Sequence, residues 1–355
     1  MQAHDLNAFR YVYHYQIAKA VPFNATIGYA ELAATLGLDV GQLKQMIRQL
    51  IQLHVFCEPQ PDHVAHTASS KLLLHWGVGQ FNGFISEDTF SIASKQIEAL
   101  EKWGHGSQEP NQAALNYAYH TDKPMYDYYE ENADVRERFS KLMTYVSGMH
   151  YMSDVHIAAG FDWAALGEGT VVDVAGNVGH CSVTIARANP KLRIVVQDMP
   201  EIIKSAQDPA TSVIPEDLRD RFTFMVHDFY TPQPVEADVY FLRMILHDYS
   251  DKYAAKILKG LVPAMKPNHS RIVVMDQLMP PVGAAPPVVE RIMRTVDLQM
   301  MMLTNAKERD YGEWAELFKA ADPRLKIKNV ANPPGSIMSL IEVVLEGDEG
   351  PDGHV

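Results

Sequence analysis

The stretch Val171-Val172-Asp173-Val174-Ala175-Gly176-Asn177-Val178-Gly179 decides the reading of this chain. It opens with a run of β-branched residues that suits a strand buried on both faces. It then passes through small residues into a helical stretch at 182–188. Small side chains at such a turn let a ligand approach the backbone, and the helix start offers unpaired N–H groups. Working downstream, β-branched runs recur at 193–196, 222–225, 237–241, 271–275 and 339–344. Helical stretches such as 252–261 separate most of them. Strands alternating with helices predict an α/β fold with a doubly wound, mostly parallel sheet and a ligand site at the carboxyl ends of its strands.

Upstream, the texture is mostly helical. Thr26 is placed to cap a helix that Gly37 ends, and Asp39 to cap a second helix over 40–53. Apolar runs at 55–57 and 63–66 flank a polar segment and predict a hairpin. Helix, turn, helix, hairpin is a winged-helix-like pattern. The second helix offers only Lys44 and Arg48 to a nucleic acid, so an architectural or dimerisation module is expected rather than a DNA reader. The polar, breaker-rich run Gly104-His105-Gly106-Ser107-Gln108-Glu109-Pro110-Asn111 marks a linker. The expected division is therefore 1–110, winged-helix-like, and 111–355, catalytic.

Composition narrows the function. The 355 residues are 47% hydrophobic and 21% charged, as in an ordinary globular protein. The formal net charge of −13 disfavours nucleic acid and, more weakly, an anionic membrane surface. Two cysteines, Cys57 and Cys181, are too few for a disulfide framework or a zinc cluster, and no metal is expected. The first residues lack a basic segment followed by an apolar run, and no apolar stretch approaches the roughly 20 residues of a membrane span. A cytoplasmic protein is expected.

The strand ends point to a nucleoside. The second strand ends in Gln197-Asp198, placing an acid about 20 residues beyond the glycine turn, where ribose hydroxyls are held. The third ends in His227-Asp228-Phe229, which supplies a carboxylate for an amino group and a ring face for a base. The loop fits the dinucleotide fingerprint G-x-G-x-x-G poorly. S-adenosylmethionine (SAM), which has no phosphate, suits it better.

With these motifs, and with Phe161-Asp162-Trp163, Val196-Gln197-Asp198-Met199-Pro200, Leu246-His247-Asp248 and Lys307-Glu308-Arg309, the chain resembles the SAM-dependent O-methyltransferases of the plant caffeate type and their fungal secondary-metabolism relatives. The resemblance covers nearly the whole chain. It implies a Rossmann-like SAM-binding sheet, a homodimer, and a small aromatic or polyketide-type acceptor. It also implies roles: Gly176 against the methionine portion of SAM, Asp198 on the ribose, Asp228 and Phe229 on adenine, and Arg243 as a basic cofactor contact. His247 would be the general base, with Asp276 and Glu308 orienting it. At positions 175 and 177, where the family usually has glycine, this chain has Ala175 and Asn177.

The chemistry is consistent with those roles. A phenol with a pKa of about 10 is a poor nucleophile until deprotonated, and a histidine titrating near 6.5 can take that proton. The rest of methyl transfer is alignment of oxygen, methyl carbon and sulfur. Two other readings compete: a SAM-binding relative that steers a rearrangement or pericyclic cyclisation without methylating, and a DNA-binding regulator.

Overall fold

The computed structural model describes residues 2–347. The chain forms two compact units: residues up to Trp103 together with Ala114–Gly148, and Gly104–Ala113 together with Met149 onward. The 114–148 segment, grouped by sequence with the catalytic region, thus packs with the first unit. Residues 104–111, expected as a linker, belong to the second.

In the first unit, helix Tyr29–Leu36 ends at Gly37 in the left-handed region. Its N-cap is Gly28 with no side-chain bond, rather than Thr26. Asp39 does cap helix Val40–Ile51, accepting from the Gln42 N–H at 2.8 Å. Leu43, Ile47 and Leu50 of that helix are fully buried. Strands β1 (Ile27–Gly28), β2 (Phe56–Gln60) and β3 (His63–His66) form a small antiparallel sheet in the order β1-β3-β2.

The second unit is built on seven strands. These are β4 (Thr170–Val174), β5 (Arg193–Asp198), β6 (Phe222–Val226), β7 (Val239–Arg243), β8 (Arg271–Gln277), β9 (Leu325–Ala331) and β10 (Met338–Leu345). Their order is β6-β5-β4-β7-β8-β10-β9. The pairs from β6 to β8 are parallel, and β10 runs antiparallel to both neighbours. Winding outward from β4 to β6 and then back through β7 and β8 leaves a reversal of strand order between β4 and β7, where ligands of such sheets bind.

Burial explains the strand composition. Val172, Val174, Tyr240, Leu242, Ile272, Val274 and Ile341 form one core with helices Asp251–Leu261 and Tyr311–Ala321. On another part of the unit, Trp163 packs edge-on against Phe241 and donates its indole N–H to the Ile157 carbonyl at 2.8 Å. The Phe161-Asp162-Trp163 motif is therefore a packing device, with Asp162 capping the turn Trp163–Leu166. Sequence reading missed β9. Its Lys326 and Lys328 alternate with Ile327 at the sheet edge, so its apolar pattern is thin. Among the described residues no helix is long and apolar enough to cross a membrane.

Candidate active site

Register places the chemistry at one edge of the sheet. Val174 lies beside Gln197, Asp198 beside Val226, and Arg243 beside Met275, so the carboxyl ends of β4 to β8 are adjacent. After β4 the chain turns through Ala175, Asn177 and Gly179, all at positive φ (55°, 54° and 84°). Asparagine tolerates this conformation and glycine is free in it, but alanine stores strain there. Gly176 has a different reason to be glycine. A Cβ there would lie 2.5 Å from the Asp173 carboxyl carbon. Asp173 is buried beneath the loop, accepts from the Ser182 hydroxyl at 2.6 Å, and is pushed up by that burial to about 7.

Asp198 binds the same loop from β5. Its two oxygens accept the N–H groups of Asn177 and Met199, each at 2.8 Å. Burial raises its pKa, and these two bonds oppose the rise. Each oxygen keeps a second lone pair for a ribose hydroxyl. Past β6, Asp228 is exposed and accepts from the Tyr230 N–H at 2.9 Å, while Phe229 meets Tyr230 and Tyr249 edge-on. Asp198 at the end of β5 and Asp228 just after β6 thus offer acceptors, with the Phe229 ring beside the second. Arg243 Nη1 lies 3.2 Å from Cys181 Sγ and Nη2 lies 3.4 Å from Asp154, while its buried Nε has no partner. Asp154, His180 and Cys181 come close enough to hold a metal, yet any ion there would have to displace the Arg243 cation.

His247 sits on a 3-10 turn, Leu246–Asp248, just after β7, and is 6% exposed. Its Nδ1 is 2.7 Å from Glu308 Oε1. A carboxylate only accepts, so Nδ1 carries the proton and Nε2 is the nitrogen left to take another. Glu308 is itself fixed: its N–H donates to Asp297 at 2.9 Å, and the Gln277 amide approaches its Oε1 at 3.4 Å. Asp276, fully buried at the end of β8, makes no hydrogen bond through either oxygen. Burial pushes Asp276 up to about 7, the His247 charge opposing and Glu308 and Asp248 adding to the rise. Burial alone would depress His247. The carboxylates of Glu308, Asp248 and Asp276 overcome it and raise His247 to about 10.

All eight residues singled out from the sequence lie in the second unit, seven on its strand ends or the loops that follow them and Glu308 in the loop between helices Pro287–Thr304 and Tyr311–Ala321. Direct contact is seen for His247 with Glu308, whereas Asp276 reaches His247 through its field and no hydrogen bond. Sequence reasoning missed Asp173, Asp297 and the structural part played by Arg309. Asp173 had a signal, a charge inside an apolar strand. Asp297 had none, since only the fold brings helix Pro287–Thr304 to the Glu308 backbone.

A profile of O-methyltransferase domains matches residues 104–322. The O-methyltransferase pgmB of Aspergillus terreus is 37% identical over 349 residues, covering 97% of this chain and 98% of that protein. The O-methyltransferase VdtC of Byssochlamys spectabilis is 38% identical, covering 96% of this chain and 78% of that one. Among solved structures, OxaC in complex with SAH and oxaline matches with a TM-score of 0.78 at 24% identity, over 97% of this chain and 85% of that one. The site geometry and these relatives lead to one conclusion: the chain belongs to the family of SAM-dependent O-methyltransferases, among those of fungal secondary metabolism.

Proposed function

We propose that the protein methylates a hydroxyl of a small aromatic or polyketide-type metabolite, with His247 Nε2 as the general base. The observation that carries this reading is the His247–Glu308 contact at 2.7 Å, which leaves Nε2 as the proton acceptor. SAM supplies an electrophilic methyl group on a sulfonium when bound. Asp198 and the loop 175–179 would hold its ribose and methionine portion, Asp228 and Phe229 its adenine, and Arg243 its anionic end. Raised to about 10, His247 is an imidazolium at neutral pH before reactants arrive. To act as an acceptor it would first release that proton to solvent, which the charge of a nearby sulfonium would favour. The acceptor's proton then moves to Nε2, and Glu308 and Asp276 stabilise the resulting imidazolium.

In the first unit, the helix pair and three-stranded sheet favour a winged-helix-like module with a role in pairing two copies. Lys44 pairs with Asp62 and Arg48 with Glu58 at 2.7 Å, so the cations a DNA reader needs are already neutralised within the module. Two free thiols suit a reducing, cytoplasmic setting. The test is incubation with methyl-labelled SAM and a panel of phenolic and polyketide acceptors. Label should enter a product, and His247→Ala should abolish it by about 100-fold or more while SAM still binds. Full turnover in that variant removes His247 from the base role. Bound SAM with no labelled product supports a rearrangement or cyclisation instead.

A further inference from the structure

Arg309 follows Glu308 directly and has no exposed surface. A guanidinium taken out of water is stable only if its N–H groups find acceptors. Here Nε donates to Asp251 Oδ1 at 2.8 Å, Nη1 to the Leu246 carbonyl at 2.9 Å, and Nη2 to the Tyr249 carbonyl at 2.8 Å. Leu246 and Tyr249 bracket His247. The ring of the fully buried Trp314 lies 5.2 Å away and closes the remaining side.

The turn needs that clamp. It is a single 3-10 turn whose last bond, from Tyr249 N to Leu246 O, is long at 3.3 Å. It is entered through Met244 at φ 54°, a strained conformation for a non-glycine residue. Arg309 is meanwhile fixed by its own backbone, whose carbonyl accepts from the Met279 N–H at 2.9 Å just beyond β8. One dipeptide thus controls both partners of the site's central hydrogen bond: Glu308 supplies the acceptor, and Arg309 holds the turn that presents the imidazole.

We propose that Arg309 is a positioning residue for His247, bridging the carbonyls of Leu246 and Tyr249 so that Nδ1 stays against Glu308. The assignment builds on the reading of His247 as the base. Lysine does not substitute, because one ammonium on a flexible stem lacks the planar fork that spans two carbonyls and a carboxylate.

The experiment follows the His247 imidazole in the full chain by nitrogen-15 NMR, its signal identified by loss in His247→Asn, alongside calorimetry with S-adenosylhomocysteine. In Arg309→Lys the His247 titration should fall by about one unit or more toward 6.5, as the Glu308 contact loosens. Cofactor-product affinity should stay within about twofold of the parent. Asp251→Ala removes the Nε anchor, together with the Lys307 pair at 3.2 Å, and should give a smaller shift in the same direction even if Arg309→Lys does not fold. A His247 titration unmoved in both variants overturns the positioning role. Methylation retained by His247→Asn would instead sink the base reading, so the two failures are separable.

Discussion

At the scale of single residues, the site works by opposing burial with charge. His247 and Asp276 are both buried, and burial disfavours the charged form of each. Placed together with Glu308, they share charge that neither would carry alone. In the base role proposed for it, His247 must lose its proton before it can accept one, so the methylation rate should climb with pH. Glu308→Gln keeps an oxygen for the Nδ1 proton but removes the negative charge that favours imidazolium. The midpoint of the acidic limb should therefore move down by about one unit or more. A kcat profile against pH checks this, and a midpoint that stays or rises contradicts it.

At the scale of elements, the loop after β4 is held from two sides. Asp173 supports it from below, where only glycine fits at position 176. Asp198 ties it to β5 through the Asn177 and Met199 N–H groups. Asp198 thus tethers the loop in addition to the ribose role proposed for it. Asp198→Ala should weaken SAM binding by more than a lost ribose contact alone, about 100-fold, because the loop also loses its tether. Calorimetry reads the affinity, and an unchanged value would exclude Asp198 from the site. The segment 104–113 shows the same economy: Gln108 Oε1 accepts from Lys252 N at 2.7 Å and its carbonyl accepts from the Ser250 hydroxyl at 2.8 Å, at the start of helix Asp251–Leu261.

At the scale of the whole molecule, the buried titratable groups of the site bias stability in one direction. Asp173 and Asp276 are each raised to about 7 and His247 to about 10. A group whose folded pKa lies above its unfolded value binds protons more tightly when folded, and its stabilisation disappears as pH rises through the folded value. The two acids lose theirs between about 4 and 7, and His247 between about 6.5 and 10. The net charge of −13 adds self-repulsion as pH climbs. The unliganded protein should therefore melt at progressively lower temperature from pH 6 to pH 10, and His247→Asn should flatten the upper part of that decline. A melting temperature that rises over this interval contradicts the assignment.

What the sequence determined by itself was the order of elements and the candidates at the strand ends. Periodicity of β-branched runs exposes buried parallel strands, and the residues that end such runs must lie at one edge of the sheet. Gly176, Asp198, Asp228 and Phe229 were legible for that reason, and Arg243, His247, Asp276 and Glu308 through the family resemblance. Strand β9 was not, because an edge strand carrying lysines has little apolar signal. Tertiary structure alone decided which nitrogen of His247 meets Glu308, that Arg309 grips both ends of its turn, and that Asp297 holds the Glu308 backbone. These contacts join residues 11 to 63 positions apart, and hydrogen-bond direction and burial arise only when the chain has closed over them.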